Sequence, residues 1–168
     1  MRKTKKLALM AALTAIALTI FVAEAQIPPV VPIPGAKLGL ANIVTLVAIV
    51  LMGRREAGEI LLMRILLGSM FTGSVSAMMF SIAGGVLAWA IMCLTVRFFG
   101  EKQLWIVSVL AALGHNAGQL AVAVWVTGTV SILTYAPVLV AAGVITGAFT
   151  GIAALYLIRA ARKAGWFQ

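Results

Sequence analysis

Apolar residues run through this chain in six blocks, and the cationic residues gather in every second gap between them. The blocks cover about 7–25, 38–52, 60–72, 76–96, 104–126 and 132–158. A helix needs about 20 apolar residues to cross a bilayer. The first block and the last three meet that length alone, whereas the second and third are short enough to demand little tilt or a thinned bilayer. The pattern predicts an all-α, polytopic membrane protein: a compact bundle of six transmembrane helices forming a single domain over 1–168. Composition agrees, since 63% hydrophobic against 10% charged residues leaves too little polar surface for a water-soluble globule.

Charge sets the expected orientation. Of the 13 Lys and Arg residues, all but Lys37 and Arg64 lie in the N-terminal segment, the 2–3 and 4–5 connections or the C-terminal segment. Cations are retained on the cytoplasmic side, so both termini are expected there, with the protein multi-pass in the cell inner (plasma) membrane. The net charge of +9 is spread over four segments flanking the spans; that distribution suits anionic lipid headgroups and gives no reason to expect a nucleic-acid partner. Ala23-Glu24-Ala25 after a basic start also has the form of a signal-peptide cleavage site. The apolar run is nearer a full span than a signal's core, and Pro28 and Pro29 follow closely, so the first helix is expected to be retained.

Several chemistries lack their residues. The chain has no Asp, and three of its four acids, Glu56, Glu59 and Glu101, lie in the expected cytoplasmic connections. Magnesium-dependent phosphoryl or diphosphate chemistry needs clustered carboxylates. The single Cys93 permits neither an intramolecular disulfide nor a cysteine-based metal site. With no P-loop, G-x-S-x-G or H-E-x-x-H either, the expectation is no enzyme, no catalytic residue, no cofactor and no metal.

The polar residues inside the blocks are the candidates for function. Residues 26–37 carry Pro28, Pro29, Pro32 and Pro34 among Ile27, Val30, Val31 and Ile33. Proline removes backbone donors and stiffens the chain, so this outer segment is either a connector at the lipid interface or a lid over a ligand pocket. Lys37 stands at the mouth, and Asn42 and Thr45 share a face of the second helix. In the fifth, His115 and Gln119 share a face with Asn116 one step round. These groups are either interhelical hydrogen-bonding residues or the lining of a pocket in the outer half, made by Lys37, Asn42, Thr45, His115, Asn116 and Gln119. Arg64, one turn beyond Ile60, either snorkels to the headgroups and pairs with Glu59 or Glu56, or serves coupling or a buried salt bridge. Gly143, Gly147 and Gly151 form a ridge for internal packing, while Ala8, Ala12 and Ala15 on the first helix could seat another membrane subunit.

The stretches Pro34-Gly-Ala-Lys-Leu-Gly-Leu-Ala-Asn-Ile-Val-Thr45, Arg64-Ile-Leu-Leu-Gly-Ser-Met-Phe-Thr-Gly73, Ser81-Ile-Ala-Gly-Gly85 and Gly114-His-Asn-Ala-Gly-Gln119 together resemble the Gx transporter family, often labelled heptaprenyl diphosphate synthase component I. That family is similar to the S components of energy-coupling factor transporters. The resemblance implies six helices with cytoplasmic termini, an outer lid between the first two, and an A-x-x-x-A ridge that meets a transmembrane coupling subunit energised by ATPases. Prenyl synthases hold magnesium diphosphate with aspartate-rich motifs, which a chain without Asp does not match. The expected function is therefore capture of a small molecule, such as a vitamin, a flavin, or an isoprenoid or quinone precursor, for uptake. The alternative is a non-transporting membrane anchor or accessory subunit of a lipid-modifying or redox enzyme system.

Overall fold

A computed structural model describes residues 3–27 and 37–166. The described residues form six α-helices: α1 (Lys3–Glu24), α2 (Asn42–Leu51), α3 (Arg54–Thr72), α4 (Val75–Thr95), α5 (Leu104–Thr127) and α6 (Ala136–Lys163). Short 3-10 turns at Glu101–Gln103 and Val130–Tyr135 lead into α5 and α6. Among the described residues there is no strand. By length and composition α1, α4, α5 and α6 are able to cross a membrane.

Turn chemistry explains the tight connections. Gly73 and Gly128 end α3 and α5 in the left-handed region, with φ +59° and +64°, where a side chain is disfavoured. Ser74 then caps α4, its hydroxyl accepting a hydrogen bond from the Ala77 amide at 3.2 Å. Pro137 occupies the first turn of α6, where its missing N–H costs nothing.

Two boundaries differ from the sequence pattern, and both matter. The second block, expected over 38–52, is helical only from Asn42 to Leu51, about 15 Å of helix. It cannot cross a bilayer alone. Gly39 stops it earlier with φ +79°. Seven of the ten residues of α2 are buried, so it is an inner helix packed against α3, α4 and α6 rather than a lipid-facing span. The third helix begins at Arg54, not at 60. Arg64 is therefore three turns into α3, about 15 Å from its start, and is buried. It does not snorkel: Glu56 pairs with Lys6, and Glu59 pairs with Arg55 at 3.1 Å.

Glycine brings the long helices together. A Cβ on Gly147 or Gly151 of α6 would stand 2.6 Å from the Val109 Cα or 2.5 Å from the Trp105 Cα of α5, and one on Gly118 would stand 2.7 Å from the Ala83 carbonyl of α4. Only glycine allows backbones this close. Ser108 and Thr150 share a hydrogen bond of 2.9 Å across the α5–α6 seam. Leu46, Ile60, Leu61, Met92, Leu104, Val107 and Ile158 fill the centre. Large apolar residues such as Met70, Phe71, Trp125, Ile145 and Phe149 face outward, a surface suited to lipid and unsuited to water.

Most of the charged residues collect at one end of the bundle. There Lys6 meets Glu56, the Trp89 indole donates to the Arg54 carbonyl at 3.1 Å, and Arg159 and Arg162 both reach Glu101. The opposite end holds the C-terminus of α1, the 37–41 segment and the N-terminus of α2.

Candidate functional site

Toward that opposite end, a set of buried polar side chains converges where α1, α2, α3, α4 and α5 meet. Glu24 closes α1 and is 5% exposed; its carboxylate accepts the Gly39 amide hydrogen bond at 2.5 Å. That bond fixes the turn leading into α2. The Lys37 amide donates to Gln119 Oε1 at 3.2 Å, and its ammonium lies 3.1 Å from the centroid of the Phe21 ring. Two hydrogen bonds thus lash the start of the second block to α1 and α5.

The amide of Gln119 orders His115. Since Gln119 Oε1 accepts from Lys37, its Nε2 is the donor in the 3.0 Å contact with His115 Nε2. The imidazole accepts there and carries its proton on Nδ1. Nδ1 lies against Gly84 of α4, where a Cβ would come within 2.7 Å, and has no hydrogen-bond partner of normal geometry among the described residues. Gly39 is equally constrained, its missing Cβ falling 2.9 Å from His115 Cδ2 and 3.0 Å from Asn42 Nδ2.

Arg64 completes the set. It is 3% exposed, with its guanidinium carbon 5.8 Å from the Phe21 centroid and Nη2 beside Gly85. Its Nε and Nη2 find no partner among the described residues, nor does Asn42 Oδ1. Buried polar atoms without partners are rare in folded proteins because each loses water without replacement. Three neighbouring side chains share that condition here. Lys37, in the connection outside the helices, feels the same surroundings: burial lowers its ammonium from the ordinary 10.5 to about 8, with Glu24 opposing the shift and Arg64 adding to it.

Of the six pocket residues expected from sequence, Lys37, Asn42, His115 and Gln119 come together here. Thr45 is buried one turn below Asn42. Asn116 turns away: its Nδ2 donates to the Leu139 carbonyl of α6 at 2.7 Å, so it serves the α5–α6 seam. Glu24 was missed, read only as part of a cleavage-like tripeptide. Its signal was available, as the one acid remote from the basic end in a chain where an acid bordering an apolar span asks for a partner. Glycines 39, 84 and 85 carried no chemical signal, because their contribution is the space they leave. Most of the proline-rich segment, including Pro28, Pro29, Val30, Val31, Pro32, Ile33 and Pro34, lies outside the described residues, and so does the lid expectation.

Ala8, Ala12 and Ala15 are exposed along α1. A groove of about 730 Å³ between α1 and α3 is lined by Leu7, Ala11, Ala15 and Leu66. A smaller one of about 180 Å³, beside Ala12, separates α1 from α2 and α6.

The family model described as heptaprenyl diphosphate synthase component I matches residues 13–157. The chain belongs to this family. The matched region runs from within α1 to the last turns of α6 and takes in every residue of the buried polar set. The family description names a component, and hence an assembly of more than one subunit. No curated protein and no solved structure matches the chain.

Proposed function

We propose that this protein is the membrane-embedded substrate-capture subunit of a small-molecule uptake transporter and not itself an enzyme. The observation that carries the reading is the convergence of unpartnered, buried polar atoms of Asn42, Arg64 and His115 between the helices. A bundle that served only to anchor something would gain by pairing or replacing these groups. A ligand that hydrogen-bonds to them gives them a purpose. In this reading the multi-pass bundle has both termini in the cytoplasm, following its basic end, and the ligand enters from the outer face, with residues 26–37 as its lid. Energy comes from a transmembrane coupling subunit and its ATPases, met through Ala8, Ala12 and Ala15, since the chain has no nucleotide motif.

The test replaces Asn42 or Gln119 by Leu, which keeps volume and removes hydrogen bonding. Each change is expected to lower the yield of small molecule co-purified with gently solubilised protein; Asn42→Leu, which removes an unpartnered oxygen, should keep the melting profile, whereas Gln119→Leu also loses the bonds to the Lys37 amide and His115 and should melt lower. Normal yield from both variants would refute the pocket.

The second reading, an accessory subunit of a lipid-modifying or redox system, is favoured by the family description itself. It expects a prenyl synthase to co-purify with this chain and no bound small molecule.

A further inference from the structure

We propose that the captured ligand carries one net negative charge, as a carboxylate or a phosphodiester, and that this anion docks on the Nε and Nη2 edge of Arg64. The inference rests on the capture reading and names the chemical class of the cargo.

The two unpartnered nitrogens of Arg64 are not an arbitrary pair. Nε–H and the nearer N–H of Nη2 point the same way and form one edge of the planar guanidinium. That edge receives the two oxygens of a carboxylate or phosphate in parallel hydrogen bonds. A neutral amide or hydroxyl oxygen can bridge the two N–H groups but brings no charge to offset the guanidinium. The side chain is 3% exposed on the inward face of α3, so neither water nor headgroups reach the edge freely.

Protein acids do not fill it. Glu24 is the acid nearest in the fold, and its carboxylate is engaged by the Gly39 amide. Among the described residues the ion pairs of Glu56, Glu59 and Glu101 all lie at the basic end, and none joins Glu24 to Arg64. With Arg64 and Lys37 cationic and Glu24 anionic, the set retains one uncompensated positive charge. A single anion neutralises it, and a buried charge requires such compensation.

Glycines on α4 let the polar side chains pack directly against its backbone. Gly85 puts no side chain beside Nη2, where a Cβ would stand only 3.2 Å away. Its neighbour Gly84 does the same beside His115. The unpartnered Asn42 Oδ1 supplies an acceptor for a neutral polar atom further along the molecule.

The test is mass spectrometry, in both ion polarities, of compounds released by solvent denaturation from the full chain isolated in mild detergent, as wild type, Arg64→Gln and Arg64→Lys. An equimolar carboxylate or phosphodiester compound is expected from the wild type. Its yield is expected to fall about tenfold in Arg64→Gln and less in Arg64→Lys, which keeps the charge without the fork. Should Arg64→Gln fail to fold, by size exclusion in the same detergent, the Arg64→Lys yield decides: below wild type supports the docking, equal to it overturns it. An equimolar neutral or cationic compound overturns the anion while capture stands. An anionic compound held equally by a folded Arg64→Gln overturns the role of Arg64. A bilayer phospholipid lost in Arg64→Gln overturns the cargo assignment and traces the anion to the membrane. Absence of any equimolar compound from the wild type overturns capture, and this inference with it.

Discussion

The Lys37 ammonium lies 3.1 Å from the centre of the Phe21 ring, and the same ring packs onto Gly68 of α3, where a Cβ would come within 2.6 Å of it. One aromatic side chain therefore joins α1 to α3 and holds the entry to α2 from above. The outer end of α1 is fastened by Phe21 and Glu24, while Ala8, Ala11, Ala12 and Ala15 nearer the basic end are exposed.

Phe21→Ala should loosen this joint. Because lipid is as apolar as the protein interior, the cost comes from the cavity and lost contacts more than from transfer. A loss on the order of 2 kcal/mol is expected, read as a lower unfolding midpoint in mild detergent. Phe21→Leu should cost less. An unchanged midpoint for Phe21→Ala would show that α1 is held elsewhere.

Lys37 should titrate near pH 8 rather than 10.5. Its neutral amine reacts with acylating reagents, so modification of Lys37, followed by peptide mass spectrometry, should rise through about pH 8. Glu24→Gln should move that midpoint down, because the Glu24 charge holds the ammonium, and Arg64→Gln should move it up. The sign for stability follows from proton counting: between about 8 and 10.5 the unfolded chain holds the proton that the folded one has released, so stability at this site rises with pH across that window. A midpoint near 10.5 would place Lys37 in water.

The glycines of α6 should not be equivalent. An added methyl at Gly147 or Gly151 meets α5 backbone, whereas one at Gly143 meets the Asn116 side-chain amide at 2.9 Å and the Leu113 side chain at 3.3 Å. Backbone cannot yield without moving a helix, so Gly147→Ala is expected to cost about 1–3 kcal/mol and Gly143→Ala less. Thermal unfolding of the two variants ranks them, and the reverse order would contradict the packing.

Orientation can be read with single cysteines in a Cys93→Ala background. Cysteines at Val31 and Thr129 should react with an impermeant thiol reagent in intact cells, and one at Arg55 only after lysis. The opposite pattern would invert the bundle.

Ala12→Trp should leave the buried polar set intact, since Ala12 is exposed and near the basic end. Ligand yield is expected to match the wild type while uptake stops and the coupling subunit is lost from pull-downs. Uptake that survives the change would move the partner to another surface, such as the groove between α4 and α5 beside Val86 and Trp125.

How much of the candidate site was legible depended on side-chain chemistry. An amide or imidazole within an apolar helix is conspicuous, and helical spacing puts His115 and Gln119 on one face, so that half of the set could be read directly. Asn116 was legible as polar but not in its direction. One step of 100° round α5 separates facing the site from facing α6, and only packing against Leu139 decides between them. The depth of Arg64 was placed too near the basic end because the length of α3 depends on where Gly53 turns the chain, and the apolar block alone put that start six residues late.

Composition and the period of apolar residues were enough to determine an all-helical, lipid-suited chain, because burying backbone polar groups away from water leaves helices as the economical solution and the block lengths announce them. They also determined which end is basic. Tertiary structure alone decided that α2 is an inner helix and not a span, and that Glu24, from the end of α1, meets the same buried set as Arg64 from the middle of α3. Those outcomes rest on one left-handed glycine and on contacts between residues far apart in the chain. No local pattern encodes them, because a side chain's partner is set by the helix that happens to pack against it.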